Sequence, residues 1–313
     1  MKGAFASGVF NNMSTPASKH ASRWKNRLLK YALWDSLRCV APAPCKPSPA
    51  QWSNKDVTLA WLGHATVLIN FLGINILTDP VLAGRVGINA GPFVFGPKRQ
   101  IRPALKYSEL PPIDLILLSH SHFDHLDLWT LRRMGSTPVV VTAAHTSDLL
   151  KYTSLTDVRE LAWNQSLDLF EKRGGLRMEA FPTQHWGARM GSDSHRRWNG
   201  YILERFGRKL IFAGDTGHTP IFAGLRGKGP FDVAIMPIGA YDPWITNHCT
   251  PEQALSMADA AGARFILPIH HQTFVLSREP LNEPIARLQR ALADAPERLA
   301  VRQIGETFVL PKA

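Results

Sequence analysis

The chain has 313 residues, 45% of them hydrophobic, which is enough for a large buried core in one α/β domain or in two smaller ones. Its formal net charge of +11, from 36 Lys and Arg against 25 Asp and Glu, gives a surface that attracts anions such as lipid headgroups, phosphates or nucleic acid. Three cysteines without CxxC spacing (Cys39, Cys45 and Cys249) argue against a disulfide framework or a cysteine-rich zinc site, and no run approaches the roughly 18 to 20 apolar residues of a membrane span.

Residues 1–54 are expected to form a flexible N-terminal segment, and 55–313 one domain. The opening MKGAFASGVFNNMSTPASKH has a lysine but no sustained apolar stretch before Asn11 and Asn12, so it makes a poor secretory signal and a cytoplasmic location is expected. In residues 23–38, Trp24, Leu28, Tyr31, Leu33, Trp34 and Leu37 recur near helical spacing with basic residues between them. Such an amphipathic helix suits the surface of an anionic membrane, where the protein would then be peripheral, and it suits docking on the parent domain as well. Residues 41–54, APAPCKPSPAQWSN, read as a proline-rich linker.

From Asp56 onward, short β runs precede helices, and the order then repeats. Thr58 to Leu62, Thr66 to Phe71 and Ile74 to Thr78 are rich in branched and aromatic residues and are broken by Gly63 and Leu72-Gly73, as in a meander. Asp114 to Ser119 and Pro138 to Thr142 are apolar strands flanking a helical stretch around Leu126 to Met134. Strands are again expected at Ser166 to Phe170, Leu176 to Phe181, Asn199 to Glu204, Lys209 to Ala213 and Asp232 to Pro237. Thr250-Pro251-Glu252-Gln253 opens a helix, with threonine as N-cap, proline in the first position and glutamine in the third. A buried strand over Phe265 to Pro268, a helix over Glu283 to Ala293 and a strand over Thr307 to Leu310 complete two β layers covered by helices.

The chemistry concentrates in LLSHSHFDHLD, Leu117 to Asp127. A strand ending at Ser119 delivers His120, His122, Asp124 and His125 to a sheet edge, and extended backbone sends His120 and His122 to the same side. Asp124 and His125, starting the next helix, face a second point nearby. Imidazole nitrogen with carboxylate oxygen is the donor set of hydrolytic zinc, with manganese or iron as competitors, and two adjacent pairs suggest two metals. Helix capping would explain Asp124 alone. It does not explain three histidines around it, because buried polar groups without partners cost a few kcal/mol each, on the order of 2 to 7. Later strands supply further donors at their ends: His185 in FPTQHW, Asp215 in IFAGDTG and His270 in LPIHH.

On these residues the chain resembles the metallo-β-lactamase fold superfamily of binuclear hydrolases, with its HxHxDH motif followed by single His, Asp and His. Trp61-Leu62-Gly63-His64-Ala65-Thr66, Leu77-Thr78-Asp79-Pro80, Gly96-Pro97-Lys98-Arg99, Gln184-His185-Trp186, Gly229-Pro230-Phe231-Asp232 and Pro237-Ile238-Gly239-Ala240-Tyr241 make it similar to the N-acylphosphatidylethanolamine-hydrolysing phospholipase D group. The resemblance implies an αββα sandwich of two mixed β-sheets flanked by helices. It also implies a first zinc on His120, His122 and His185, a second on Asp124, His125 and His270, and Asp215 bridging them. The His-x-x-Thr-Phe spacing at His270, Thr273 and Phe274 favours His270 over His271. A hydroxide between the metals is then the attacking group, and Asp124 and His248 are the residues expected to act in catalysis. His64, Asp79, Lys98, Arg99 and Tyr241 are expected to orient ligands or meet the substrate, although turn roles for His64 and Asp79 and a solvated Lys98-Arg99 pair are rival readings. For His248, a surface histidine approaching the helix is an equal rival. Trp186 is expected to pack.

The implied activity is zinc-dependent phosphodiester hydrolysis of N-acylated phospholipid to N-acylethanolamine and phosphatidic acid. The alternative is a hydrolase of a soluble lactone or phosphodiester. Nucleic acid is not expected as a partner, because basic runs interleaved with aromatics are missing from the core. A homodimer stays open. Two loops that overhang the site in this fold, Ala188 to Trp198 and Tyr241 to Asn247, depart from the animal lipases, and this leaves acyl preference open.

Overall fold

Apolar runs bounded by glycine turns set the strands. β1 (Val57–Gly63) and β2 (Thr66–Phe71) are buried along their whole length, as continuous runs covered on both faces should be. The computed structural model describes residues 38–90 and 93–312. β3 (Ile74–Thr78), β4 (Ile88–Ala90), β5 (Phe93–Phe95), β6 (Leu115–Leu117), β7 (Val139–Ala143) and β8 (Val158–Leu161) make up the rest of the first half. The second half holds β9 (Ser166–Leu169), β10 (Leu176–Phe181), β11 (Gly200–Arg205), β12 (Arg208–Phe212), β13 (Phe231–Pro237), β14 (Ala263–Ile269) and β15 (Thr307–Val309).

The strands form two mixed sheets, ordered β15-β1-β2-β3-β6-β7-β8 and β14-β13-β12-β11-β10-β9. In each sheet antiparallel pairing gives way to parallel pairing, at β3–β6 in the first and at β12–β13 in the second. Alternation along β12 divides its side chains between two cores. Leu210 and Phe212 join the cluster shared by both sheets, whereas Ile211 joins the cluster facing the helices. That second cluster takes Ala254, Met257 and Ala258 from the helix Pro251–Ala261, and Ile285 and Leu288 from the helix Glu283–Ala291. Two shorter helices, α1 (Leu128–Leu131) and α2 (Ile221–Leu225), precede these two, which are α3 and α4. The result is the expected sandwich of two mixed sheets with helices outside.

α3 starts and stops where its sequence directs. The Thr250 hydroxyl accepts from Gln253 N while the Gln253 side chain accepts from Thr250 N, and the helix ends at Gly262 in the left-handed region at φ 82°. The stretch Leu126 to Met134 is helical only over α1, because Asp127 caps it so close to the preceding turn. Residues 41–54, expected as a linker, are tied to the domain instead. Ala41 N donates to Gln100 O at 3.0 Å and Cys45 N to Ile304 O at 3.1 Å, and Val40 onward belongs to one compact unit. The amphipathic stretch 23–38 lies outside the described residues except for Arg38. No helix of the described residues is long and apolar enough to cross a membrane.

Candidate metal centre

Neighbouring parallel strands β3 and β6 end side by side and lay the foundation. Asp79, just past β3, accepts from Ser119 N at 2.7 Å and from Ser119 Oγ at 2.5 Å. Ser119 Oγ lies 2.8 Å from His120 Nδ1, and Asp79 Oδ2 lies 2.7 Å from His125 Nδ1. The chain then turns tightly, Leu126 N donating to His122 O at 2.8 Å, before Asp127 caps α1 through Trp129 N and Thr130 N. Asp124 and His125 therefore stand in the turn rather than on the helix, and Asp127 is the cap.

The second sheet supplies the remaining donors from the ends of β10, β12 and β14. Gly214, at φ 61°, has no room for a side chain, since a Cβ there would stand 2.6 Å from the Ser119 Cβ. That close approach brings Asp215 against the histidine turn. His270 takes a left-handed φ of 63° just past β14, with its N–H donating to His64 O at 3.0 Å.

Two clusters result. His120 Nε2 lies 2.8 Å from His122 Nδ1, and His185 Nε2 lies 3.3 Å from that same nitrogen. Three buried or half-buried imidazoles converging on one point cannot satisfy one another with the protons they carry. The second cluster joins Asp124, His125 and His270, and includes His64, whose Nε2 is 2.9 Å from Asp124 Oδ2. Asp215 Oδ2 sits between the clusters, 3.2 Å from His125 Nε2, 3.1 Å from His270 Nε2 and 3.8 Å from His185 Nε2. His248 Nδ1 approaches the same oxygen at 3.8 Å.

Polar satisfaction tests whether the donors fit a metal. His125 Nε2, both ring nitrogens of His270, His248 Nδ1 and Asp215 Oδ1 are buried without any hydrogen-bond partner. Such orphans are rare in a folded interior unless another group meets them. The charge balance agrees. Burial works against the ionised forms of Asp124 and Asp215, yet His125 and His270 hold both carboxyls well below the usual range. Burial likewise opposes the charged form of His270, and Asp215 and Asp124 overcome it, lifting this histidine to about 9. Two buried carboxylates thus demand positive charge between them, as divalent cations would supply. His120 and His185 are pushed well below the ordinary histidine value chiefly by burial, so both are neutral and free to coordinate.

Surrounding groups orient these ligands. His185 Nδ1 lies 3.0 Å from Asn247 O, and Trp186 packs on the His185 ring at 4.4 Å and the His122 ring at 4.6 Å. His64 is fully buried, and burial followed by the nearby His270 lowers it to about 3, leaving a neutral imidazole against Asp124. A cleft of about 490 Å³ opens beside His122 and Asp124, walled by Val86, Ile88, Phe95, Phe123, Trp186 and Leu276.

Some expected residues lie elsewhere. Arg99 is 1% exposed and cannot present its charge at the mouth; its Nε donates to Ala83 O at 2.9 Å, its Nη2 to Val81 O, and its guanidinium covers Phe274. Lys98, beside it, is half-buried, and its backbone pairs antiparallel with that of Arg85. Tyr241 points its hydroxyl to Glu283 on α4 at 2.9 Å, under Arg287, and so braces a helix rather than the centre. His271 stacks on Trp61 at 4.3 Å, apart from both clusters. Ser119 belongs to no expected set of donors, and its place between an apolar strand and the first histidine is the one signal of its role in the sequence.

The sequence profile of the β-lactamase superfamily domain matches residues 75–271. An uncharacterized protein of Mycobacterium tuberculosis is 31% identical, over 92% of this chain and 79% of its own. N-acyl-phosphatidylethanolamine-hydrolyzing phospholipase D 1 of Caenorhabditis elegans is 33% identical, over 79% of this chain and 72% of the relative. In structure the chain is similar to a metallo hydrolase of the archaeon Ignicoccus hospitalis, with a TM-score of 0.62 at 20% identity over 82% of this chain and 99% of that one.

Proposed function

The chain belongs to the β-lactamase superfamily as a metallo-hydrolase with N-acylphosphatidylethanolamine-hydrolysing relatives, and from that premise we propose that it is a dinuclear phosphodiesterase cleaving N-acylated phospholipid. The observation that carries the reading is Asp215 Oδ2, set within 3.1 to 3.8 Å of imidazoles from both clusters, in a centre whose His122 and Asp124 line an apolar-walled cleft.

In this reading His120, His122 and His185 would hold one ion and Asp124, His125 and His270 the other, with Asp215 a donor available to both. When bound, the ions lower the pKa of water toward neutrality and offset charge on phosphoryl oxygens. The chain's own part is orientation. Asp79 takes the Nδ1 proton of His125 and so turns Nε2 to the centre, Asn247 O does the same for His185, and Ser119 Oγ faces His120 Nδ1. His64 steadies Asp124 from behind. His248, lowered to about 4 chiefly by burial, is a neutral imidazole whose Nδ1 faces the centre, where it meets the phosphoryl or leaving oxygen.

The cleft supports a lipid. Ile88 and Phe95, on opposite strands of the β4–β5 hairpin, are 50% and 65% exposed, and with Trp186 they line an apolar path to His122. A panel separates the substrates: N-acylphosphatidylethanolamine in mixed micelles, a soluble aryl phosphodiester, and a lactone. Release of phosphatidic acid and N-acylethanolamine is the expected outcome. Lactone opening without phospholipid cleavage would favour a hydrolase of soluble substrates instead.

A further inference from the structure

The loop after His185 places one guanidinium in the wall of the cleft. Arg189 Nη1 donates to Ser121 O at 2.8 Å and to Leu126 O at 2.7 Å, the two carbonyls that bracket the turn carrying His122, Asp124 and His125. Its Cζ lies 4.0 Å above the Phe123 ring, so the plane of the group is fixed. Nε and Nη2 have no hydrogen-bond partner among the described residues, and no carboxylate lies within ion-pair distance of the group. Arg189 lines the same cleft as His122 and Asp124. By contrast Arg196, on the same loop, is neutralised by Asp148 and Asp193.

We propose that Arg189 is a specificity residue that recognises the negative charge of the substrate, its Nε and Nη2 donating to the two non-bridging oxygens of a phosphodiester bound in the cleft. This rests on the phosphodiesterase reading and deepens it. A fixed guanidinium with two free donors matches two oxygens of one phosphoryl group, and a neutral ester or lactone offers nothing to pay back the desolvation of that charge. Partial burial of Arg189 already disfavours its charged form and lowers it to about 10, still fully ionised near neutrality. The same residue ties the ligand turn to the loop, so clamping and recognition must be told apart.

Calorimetry on the metal-loaded full chain does this with diphenyl phosphate and its neutral methyl ester. Arg189→Lys keeps one nitrogen for the Ser121 and Leu126 carbonyls and lacks the second edge of the fork. It is expected to retain its metals and bind diphenyl phosphate about 10- to 100-fold more weakly, the size of one or two charge-assisted bonds, with the methyl ester unchanged within about twofold. Arg189→Met is expected to discriminate at least as poorly between the two ligands. Equal loss of both ligands, loss of metal in the lysine variant, or unchanged anion affinity would each overturn the proposal and leave Arg189 a clamp. A wild-type chain that binds diphenyl phosphate through Arg189 yet cleaves no phosphodiester would reject the phosphodiesterase reading alone.

Discussion

The Asp79 carboxylate meets His125 Nδ1 at 2.7 Å and fixes which nitrogen of that ring faces Asp215. Asp79→Asn can still accept from Ser119 N but presents an N–H where the His125 proton must be taken. The variant is expected to fold and to bind metal about 10- to 100-fold more weakly. A competitive chelator titration checks this, and an unchanged affinity would remove Asp79 from the account.

His270 and His271 are adjacent in sequence and differ in surroundings. His271 is buried against Trp61 with both ring nitrogens unpartnered, so His271→Phe keeps the stacking and removes polar atoms that have nothing to bond. Stability within about 1 kcal/mol of wild type and full metal content are expected for it, because replacing an unpaired polar group by an apolar one of similar shape costs little. His270→Phe should lose part of the metal content measured by elemental analysis. The reverse pattern would move the ligand by one residue.

Arg99→Met tests a buried cation whose expected place was the mouth of the site. Removing it strips donors from Val81 O and Ala83 O, and the cost should be about 2 to 6 kcal/mol at about 1 to 3 kcal/mol for each unsatisfied group. Denaturant unfolding reads the loss. Hydrolysis per folded molecule should hold, whereas a selective loss of anionic substrate would restore Arg99 to the site.

Thr250→Ala removes the cap that accepts from Gln253 N at 3.3 Å, and about 1 kcal/mol of stability should go with it. Metal affinity should not change, since α3 covers the second sheet and carries none of the seven donors. A larger loss, accompanied by release of metal, would show that the helix start and the neighbouring His248 are coupled.

Much of this was legible in the sequence where local pattern and tertiary role coincide. β2 and β3 are apolar runs closed by Leu72-Gly73, and their ends were readable to the residue. The donors were visible because each follows such a run, at Ser119, Phe181, Phe212 and Ile269. Edge strand β8 was not, since Arg159 and Glu160 face solvent and only Leu161 is buried. Hairpin β4–β5 is hidden in the sequence for another reason. Its base needs Gly87 and Gly96, where a Cβ would lie 2.0 Å from Phe95 O and from Val86 O, and that requirement is written in backbone packing across the pair. Arg99 reads as half of a surface pair until distant carbonyls from 81 and 83 are seen to enclose it. His64 stands 56 residues before His120 in the chain, and only the fold brings it to Asp124.

If the centre directs water to phosphorus in a phospholipid diester, isotope labelling shows where the oxygen goes. Metal-loaded protein would be given N-acylphosphatidylethanolamine in ¹⁸O-labelled water, and the products analysed by mass spectrometry before and after chelation. One labelled oxygen is expected in the phosphate of phosphatidic acid, none in N-acylethanolamine, and no reaction once the metal is removed. Label in a released fatty acid, or no cleavage by protein carrying both ions, would contradict this reading.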